Sequence, residues 1–260
     1  MLKPWLCGLL LWLSPLALFA APAVVTLAVD DTHAPYATAV DGQAAGLYVQ
    51  LIQRAMQRLP DWELRLESMP WKRALVEAEQ GRVDAVLPPY KHAERPWMAV
   101  YIGPLHVETV VLHCSPQSQL HAGLHWPADF KGRRIGMIRG YFLSSTVQQA
   151  IKQGQVTKAE YRNGFDALAA LQLGQVDCLA DDRTNLDTIR QQALADPVWV
   201  KRVPAQLEPP LLLSEEEAFV GISRKSLAAR PELAEFAKAL DTEIGELRRH
   251  GEMEKLMKGR

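Results

Sequence analysis

Three groups of side chains in this chain could do chemistry. Asp181 and Asp182 are adjacent carboxylates, which could act as general acids in an apolar cleft. His121 and His125 have a spacing typical of metal ligands, but they flank a glycine in a predicted loop. Residues 144–146 carry three hydroxyls without an adjacent histidine and base to activate a nucleophile. We therefore predict no catalytic residue and no metal site, and the acidic pair remains as a candidate for binding.

The acidic pair follows a short sequence pattern that occurs twice in the chain. The pattern Gly-x-Val-Asp occurs at residues 81–84 and again at residues 174–177, each time after an amphipathic helical stretch and before a short apolar run. Glycine can end a helix in the left-handed conformation, and an apolar run behind it suits a buried parallel strand. The repeat predicts two similar α/β lobes.

The residues that follow the two repeated strands differ in chemistry. Pro88, Pro89 and Tyr90 follow the first strand, whereas Asp181 and Asp182 follow the second. In open α/β sheets, ligands bind beyond the carboxyl ends of the strands. We therefore predict that the two edges face each other across a ligand-binding cleft.

The N-terminal segment is typical of a secretory signal peptide. Lys3 is the only charged residue before Asp30, and residues 6–19 form an apolar run that small residues follow. This run is shorter than the roughly 20 residues that cross a membrane, although an uncleaved anchor is the alternative. We predict that residues 1–23 are removed and that the mature protein is soluble and exported.

Composition argues against some partners and leaves open whether two cysteines form a disulfide. The chain of 260 residues has a formal net charge of −1, which argues against a nucleic acid or an anionic membrane as its partner. Apolar residues make up 48% of the chain, enough for a real core. After signal cleavage, Cys114 and Cys178 remain in a compartment that permits disulfides. They are expected to form either a disulfide or two buried free thiols.

Several short segments together resemble one known family. The segments are residues 24–29, 34–36, 41–42, 46–49, 81–84, 94–95, 130–136 and 247–256. Their order and spacing resemble the family 3 extracellular solute-binding proteins, the polar amino-acid-binding type that serves ABC importers. The resemblance covers the whole mature chain.

The resemblance implies an α/β fold of the type II periplasmic-binding-protein kind, with two lobes. Each lobe would have a mostly parallel sheet flanked by helices. Residues 24–107 and 215–260 would form lobe 1, and residues 108–214 would form lobe 2, with two hinge crossovers between them. The resemblance also implies a periplasmic monomer that closes over a small-molecule ligand and needs no cofactor. This monomer would deliver the ligand to an ABC permease.

The resemblance also assigns charged residues to the ligand. The family's arginine at the position of Arg95 pairs with the ligand's α-carboxylate, and a surface arginine is the alternative here. An acid at the position of Asp182 binds the α-ammonium, although the neighbouring Asp181 could do so instead. Asp30 lies where the family places an acid that reads the ligand's side chain, unless it only forms a turn.

Aromatic residues are the usual complement to such charges. His33 lies where an aromatic residue often stacks on the ligand. The aromatic residues expected beside the cleft are Tyr36, Trp71, Tyr90, Tyr141 and Phe142. Each could instead pack in the core, but as a group at strand ends they favour a pocket.

Two segments depart from the family's pattern. Pro88, Pro89 and Tyr90 replace hydroxyl-bearing residues, and residues 140–142 read Gly-Tyr-Phe where the family has Gly-Thr-Ser or Gly-Thr-Thr. Because carboxylate-binding donors are missing, a bulkier, aromatic or modified ligand becomes plausible beside an ordinary amino acid.

We therefore expect a binding protein for an amino acid or a related small polar or aromatic carboxylate, and not an enzyme. One alternative is an enzyme on the same scaffold with a cyclohexadienyl-dehydratase-like activity, in which Asp181 or Asp182 would be the general acid. Another is a ligand sensor that docks on a membrane receptor.

Overall fold

The computed structural model describes residues 21–259, so residues 1–20 of the predicted signal peptide lie outside the described part. The strands are β1 (Ala23–Asp30), β2 (Thr32–His33), β3 (Ala37–Val40), β4 (Gln43–Ala45), β5 (Trp62–Met69), β6 (Ala85–Leu87), β7 (Met98–Cys114), β8 (Arg134–Ile138), β9 (Thr157–Tyr161), β10 (Cys178–Asp182) and β11 (Leu211–Ser223). The α-helices are α1 (Leu47–Met56), α2 (Trp71–Glu79), α3 (Ser145–Lys152), α4 (Gly164–Gln172), α5 (Arg183–Ala195), α6 (Arg224–Ala229), α7 (Leu233–Arg249) and α8 (Glu252–Lys258). Within residues 21–259, none of these helices is long and apolar enough to cross a membrane.

The main sheet has two halves, and its central strands β11 and β7 belong to both. The main sheet has eight strands in the order β5-β1-β6-β11-β7-β10-β8-β9. Strand β1 is parallel to β5 and β6, and β8 is parallel to β9 and β10. We call the half with β5, β1 and β6 the first lobe, and the half with β10, β8 and β9 the second lobe. The predicted two-lobe α/β fold is confirmed.

Strands β7 and β11 are antiparallel and run from one lobe into the other. The sequence predicts that an extended run begins at Val107, but β7 already begins at Met98 and passes through Pro104. The strand tolerates this proline because the pairing is irregular there: His106 pairs with Ala218, and Ile102 with Val220. A proline has no N–H for the ladder, so it is tolerated where pairing is interrupted.

The two copies of Gly-x-Val-Asp have the same local structure. Gly81 and Gly174 adopt φ values of 70° and 67°, the left-handed conformation expected after a helix. Asp84 accepts the backbone N–H of Thr26 on β1 at 2.8 Å, and Asp177 accepts that of Arg134 on β8, also at 2.8 Å. Each aspartate thus ties its strand to the neighbouring parallel strand of its lobe.

The two cysteines lie opposite each other on neighbouring strands. Cys178 begins β10 and pairs in register with Cys114, the last residue of β7, and their sulfurs are bonded to each other. Asp182 is at the other end of β10. The covalent bond therefore lies at the end of this strand pair away from the acidic residues.

The core of the first lobe packs against the long C-terminal helix. The sequence predicts an apolar stripe on this helix, and the stripe is buried in the structure at Leu233, Phe236, Leu240, Ile244 and Leu247 of α7. Phe236 contacts Trp62 at the start of β5, with ring centroids 5.2 Å apart. The C-terminal helices thus stabilise the lobe that carries the N-terminal strands.

Removing the carboxylate of Asp84 should destabilise the fold. Its Oδ2 accepts both the Thr26 N–H and Nη1 of Arg230, the latter at 2.7 Å. We expect Asp84→Ala to lower the free energy of unfolding by about 1–3 kcal/mol, because a partly buried amide and a guanidinium lose their acceptor. Urea unfolding checks this, with the exposed Asp61→Ala as the matched control. Equal midpoints for the two variants would contradict it.

Candidate functional site

A narrow cavity lies between the two lobes, where the first lobe meets the segment after β8. Its volume is about 20 Å³, which is room for about one water molecule. The two lobes therefore lie close together at this point. The residues that line it are Asp30, His33, Trp71, Pro88, Tyr90, Arg95, Tyr141, Phe142 and Leu143. They come from the end of β1, from β2, from the start of α2 and from the segments that follow β6 and β8. Ligands in α/β folds bind beyond such strand ends.

Several contacts join the two lobes beside this cavity. The Tyr141 hydroxyl donates to Oδ2 of Asp30 at 2.8 Å. The rings of His92 and Phe142 stack with centroids 3.6 Å apart. Asn185 Nδ2 donates to the backbone oxygen of Ala34 at 2.6 Å. Each contact joins one residue of the first lobe to one of the second.

Arg95 is a buried cation that forms no ion pair with a carboxylate among residues 21–259. The residue is 8% exposed and lines the cavity. Its Nη2 donates to the backbone oxygen of Gly140 at a long 3.4 Å, and its guanidinium lies 5.5 Å from the ring centroid of Trp71. Burial lowers the pKa of Arg95 to about 10, so the group stays charged at neutral pH. Its remaining donors are available to a ligand.

Glu108 on β7 is the centre of a buried hydrogen-bond network beneath the cavity. Its Oε2 is 2.8 Å from His33 Nε2, and Tyr90 donates to the same oxygen at 2.6 Å. Tyr48 of α1 donates to Oε1, also at 2.6 Å. Burial alone would raise the pKa of Glu108, but His33 and the tyrosine hydroxyls hold it below its ordinary value. The network fixes His33 and Tyr90 at the cavity wall.

His33 is charged because of its partner. Burial alone would lower the pKa of its imidazole, but Glu108, with smaller contributions from Asp30 and Asp181, raises that pKa to about 10. Glu108 therefore favours the protonated form of the imidazole, and the two groups stabilise each other where water is excluded.

Asp30 ends β1 and faces the opposite lobe. One carboxylate oxygen accepts the backbone N–H of Thr32 at 3.0 Å and its hydroxyl at 3.1 Å, while the other accepts the Tyr141 hydroxyl. Burial raises the pKa of Asp30 above its ordinary value. Asp30 thus forms a turn with Thr32 and also lines the cavity.

Asp181 and Asp182 are the last residues of β10 and do not line the cavity. Asp182 accepts the backbone N–H of Asn185 at 2.8 Å, as the N-cap of α5, and that of Thr109 at 3.0 Å. Asp181 accepts the backbone N–H of Asp182 at 2.8 Å. Burial raises the pKa of Asp181 to about 8 and that of Asp182 to about 6. The local roles of this pair are a helix cap and a strand end.

The structure brings together most of the residues that the sequence singles out. Asp30, His33, Trp71, Tyr90, Arg95, Tyr141 and Phe142 line the cavity. Tyr36 is instead buried in the core, where it stacks on Tyr48 with centroids 4.9 Å apart. Within residues 21–259, no group of three or more histidine, cysteine or acidic side chains could hold a metal ion.

Sequence reasoning missed Glu108, which is 1% exposed. It also missed Leu143, a wall residue of the cavity. The signal for Glu108 was its charge within the apolar run of residues 107–113, because an acid in a buried strand must find partners.

Asp181 should make stability depend on pH. The folded state raises its pKa from 3.8 to about 8, so between these values the folded chain holds a proton that the unfolded chain has lost. The protonated side chain of Asp181 therefore makes its full contribution to stability below pH 3.8, and this contribution is lost as the pH rises to about 8. We expect wild-type stability, relative to Asp181→Asn, to fall by more than about 1 kcal/mol between pH 5 and pH 8. Urea unfolding at both pH values checks this, with Asp61→Asn as control, and a pH-independent difference would contradict it.

One comparison with known proteins identifies a family for this chain. The sequence profile of the bacterial extracellular solute-binding proteins, family 3, matches residues 25–259. A search of curated protein sequences finds no match.

Solved structures with low sequence identity share the fold. A histidine kinase sensor domain with similarity to periplasmic binding proteins is 17% identical, covers 92% of this chain and 96% of its own, and has a TM-score of 0.71. An arginine 3rd transport system periplasmic binding protein from Legionella pneumophila is 14% identical, with 91% and 99% covered and a TM-score of 0.69. An ancestral amino-acid-binding protein, a precursor of cyclohexadienyl dehydratase, is 14% identical, with 91% and 95% covered and a TM-score of 0.67. With the profile match over nearly all of the described residues, the chain belongs to the family 3 bacterial extracellular solute-binding proteins.

Proposed function

We propose that this protein is the periplasmic substrate-binding protein of an ABC importer and binds an amino acid or a related small carboxylate between its lobes. The observation that carries the proposal is Arg95, a buried guanidinium on the cavity wall without an ion-pair partner among residues 21–259. A guanidinium fork matches the geometry of a carboxylate, and such pairs are strongest where water is excluded. The family supports the export and the importer partner.

Ligand binding is proposed to close a hinge at β7 and β11. Residues 24–107 with 215–260 form one lobe in this proposal, and residues 108–214 form the other. Asp30 with Tyr141, and Arg95 with the Gly140 backbone, supply polar contacts between the lobes. A ligand that touches residues of both lobes stabilises the closed state by its differential affinity for that state. The protein acts as a monomer whose closed form the permease recognises.

The aromatic walls favour a ligand with an apolar or aromatic body. Trp71 and Phe142 contribute faces to the cavity from opposite lobes. Tyr90 and Tyr141 have their hydroxyls engaged with Glu108 and Asp30, so their rings supply apolar surface. Such a wall, with Arg95 as a cation that has no ion-pair partner among residues 21–259, is suited to a carboxylate of modest size.

Loss of the Arg95 guanidinium should weaken ligand binding. A thermal-shift screen of amino acids and keto acids identifies a ligand, and calorimetry then compares the variants. We expect Arg95→Ala to lower the affinity by about 30-fold or more, because a buried carboxylate loses its counter-ion. The exposed Arg65→Ala, on β5, is the matched control. Unchanged affinity in Arg95→Ala would overturn the carboxylate assignment.

Closure should be visible in tryptophan fluorescence. Trp71 lines the cavity and lies beside Arg95. Trp199 does not line the cavity and packs against Phe165, with ring centroids 5.2 Å apart. We expect saturating ligand to change the emission of the wild-type protein and of Trp199→Phe, and to leave that of Trp71→Phe nearly constant. An undiminished change in Trp71→Phe would count against the cavity as the binding site.

A sensor role is the second candidate, because a sensor domain of a histidine kinase has the same fold at a TM-score of 0.71. Crosslinking the mature protein to membranes of its own cells, followed by identification of the captured chain, separates the two roles. Capture of a permease supports import, whereas capture of a receptor supports sensing.

The enzyme alternative is tested by mass spectrometry of the ligand after incubation with the protein, and unchanged ligand is the expected result.

A further inference from the structure

A second concave region lies beside the ligand cavity and is open to the surface. We call it the basic groove, and the residues that define it are Trp71, Lys72, Arg73, Val76, Arg139 and Arg162. The first four belong to α2 of the first lobe, whereas the two others follow β8 and β9 of the second. Its volume is about 430 Å³, against about 20 Å³ for the ligand cavity. The groove is therefore large enough to accept side chains of another molecule.

The lining of the basic groove includes four cations and no acid. Lys72 and Arg139 form no ion pair among residues 21–259. Arg73 is 3.8 Å from a glutamate of its own helix, and Arg162 interacts electrostatically with Asp31. Each wall of the groove thus carries one cation whose charge no ion pair in the described chain compensates.

The four cations lie where local electrostatics disfavours them. Lys72 and Arg73 are in the first turn of α2, which has no acid there, and the positive end of a helix dipole repels cations. Arg139 and Arg162 directly follow β8 and β9, which are neighbouring parallel strands paired up to their last residues. Like charges in such neighbouring positions repel each other. An anionic partner in the groove would relieve both repulsions.

Shape and charge favour a protein as this anionic partner. The groove is concave, and Val76, which is 37% exposed, gives it apolar surface beside the cations. A protruding segment with acidic side chains and an apolar neighbour fits such a wall, whereas the flat surface of a bilayer does not enter it. The formal net charge of −1 also argues against attraction to an anionic membrane. Three other surface pockets each have a glutamate in their lining, so the absence of an acid distinguishes the basic groove from them.

We propose that the basic groove is the docking site for an acidic segment of the membrane permease that this protein serves. The inference rests on the proposed function, because it names the surface and the chemistry by which that partner is recognised. Since each lobe supplies one wall, the acids of the partner contact both walls only when the lobes lie close together. Trp71 lines both the basic groove and the ligand cavity, so the two sites are adjacent.

Binding of the mature protein to membrane vesicles from its own cells tests this, with and without the amino acids and keto acids of the thermal-shift screen. The double variant Lys72→Gln/Arg139→Gln removes the unpaired cation from each wall, and should bind about ten-fold or more weakly because charge contacts with the partner are lost. The matched control Arg65→Gln/Lys131→Gln removes an exposed cation from β5 and another from the segment before β8. It should bind within about two-fold of wild type, since isolated surface charges contribute little. Wild-type binding should also weaken as the ionic strength rises.

A photoreactive residue in place of Val76 identifies what occupies the groove. The expected crosslink is to an integral membrane protein, at a peptide that contains Asp or Glu. Exchange of those acids for Lys in the partner should weaken its binding to the wild-type protein, and Lys72→Glu/Arg139→Glu should restore that binding. Such a rescue requires direct contact between the exchanged charges.

The outcomes separate this inference from the proposed function. Three results overturn the docking site: no wild-type binding to the vesicles, equal binding of the double variant and the control, or a crosslinked peptide without acids. Equally strong binding to vesicles of the extracted lipids alone assigns the groove to lipid and also overturns it. The proposed function still stands in each case if compounds of the screen stabilise the protein, and it falls if none does. The replaced side chains are exposed, so the double variant should keep the wild-type melting temperature. If it does not, the salt dependence and the crosslink decide the question.

Discussion

The buried pair of Glu108 and His33 is the interaction on which the arrangement of the site depends. Glu108 lies on a strand that runs between the lobes, and its donors come from β2, from α1 and from the loop after β6. A carboxylate in such a place is tolerated only if its partners remain in position, so the network fixes several elements of the first lobe relative to the crossover. Two of these partners, His33 and Tyr90, are also walls of the cavity.

The chemistry of the cavity follows from how its charges are compensated. Asp182 is occupied by backbone amides as a helix cap, and Asp30 by Thr32 and Tyr141. Among residues 21–259, Arg95 has a long hydrogen bond to a backbone oxygen and a contact with an aromatic ring. These two acids are therefore satisfied within the protein, whereas Arg95 has no carboxylate partner in the part of the chain that the structure describes. This asymmetry is the reason to expect an anionic ligand.

The sequence predicts what local rules determine. Gly81 and Gly174 adopt the left-handed conformation that ends a helix. The repeated Gly-x-Val-Asp pattern therefore predicts the two lobes correctly. Arg95 and Trp71 lie near strand ends or helix starts, which places them at the edge where ligands bind. The role of Glu108 is not local, because its partners lie 18 to 75 positions away and meet only after the sheet has formed. For the same reason, β7 passes through Pro104 where the sequence suggests a break.

The most direct test of the central claim is a crystal structure of the mature protein with its bound carboxylate ligand. The account predicts a ligand between the lobes, with carboxylate oxygens within hydrogen-bond distance of the Arg95 guanidinium and the body of the ligand against Trp71 and Phe142. A ligand whose carboxylate lies elsewhere, with Arg95 still bonded to the Gly140 backbone, would contradict it.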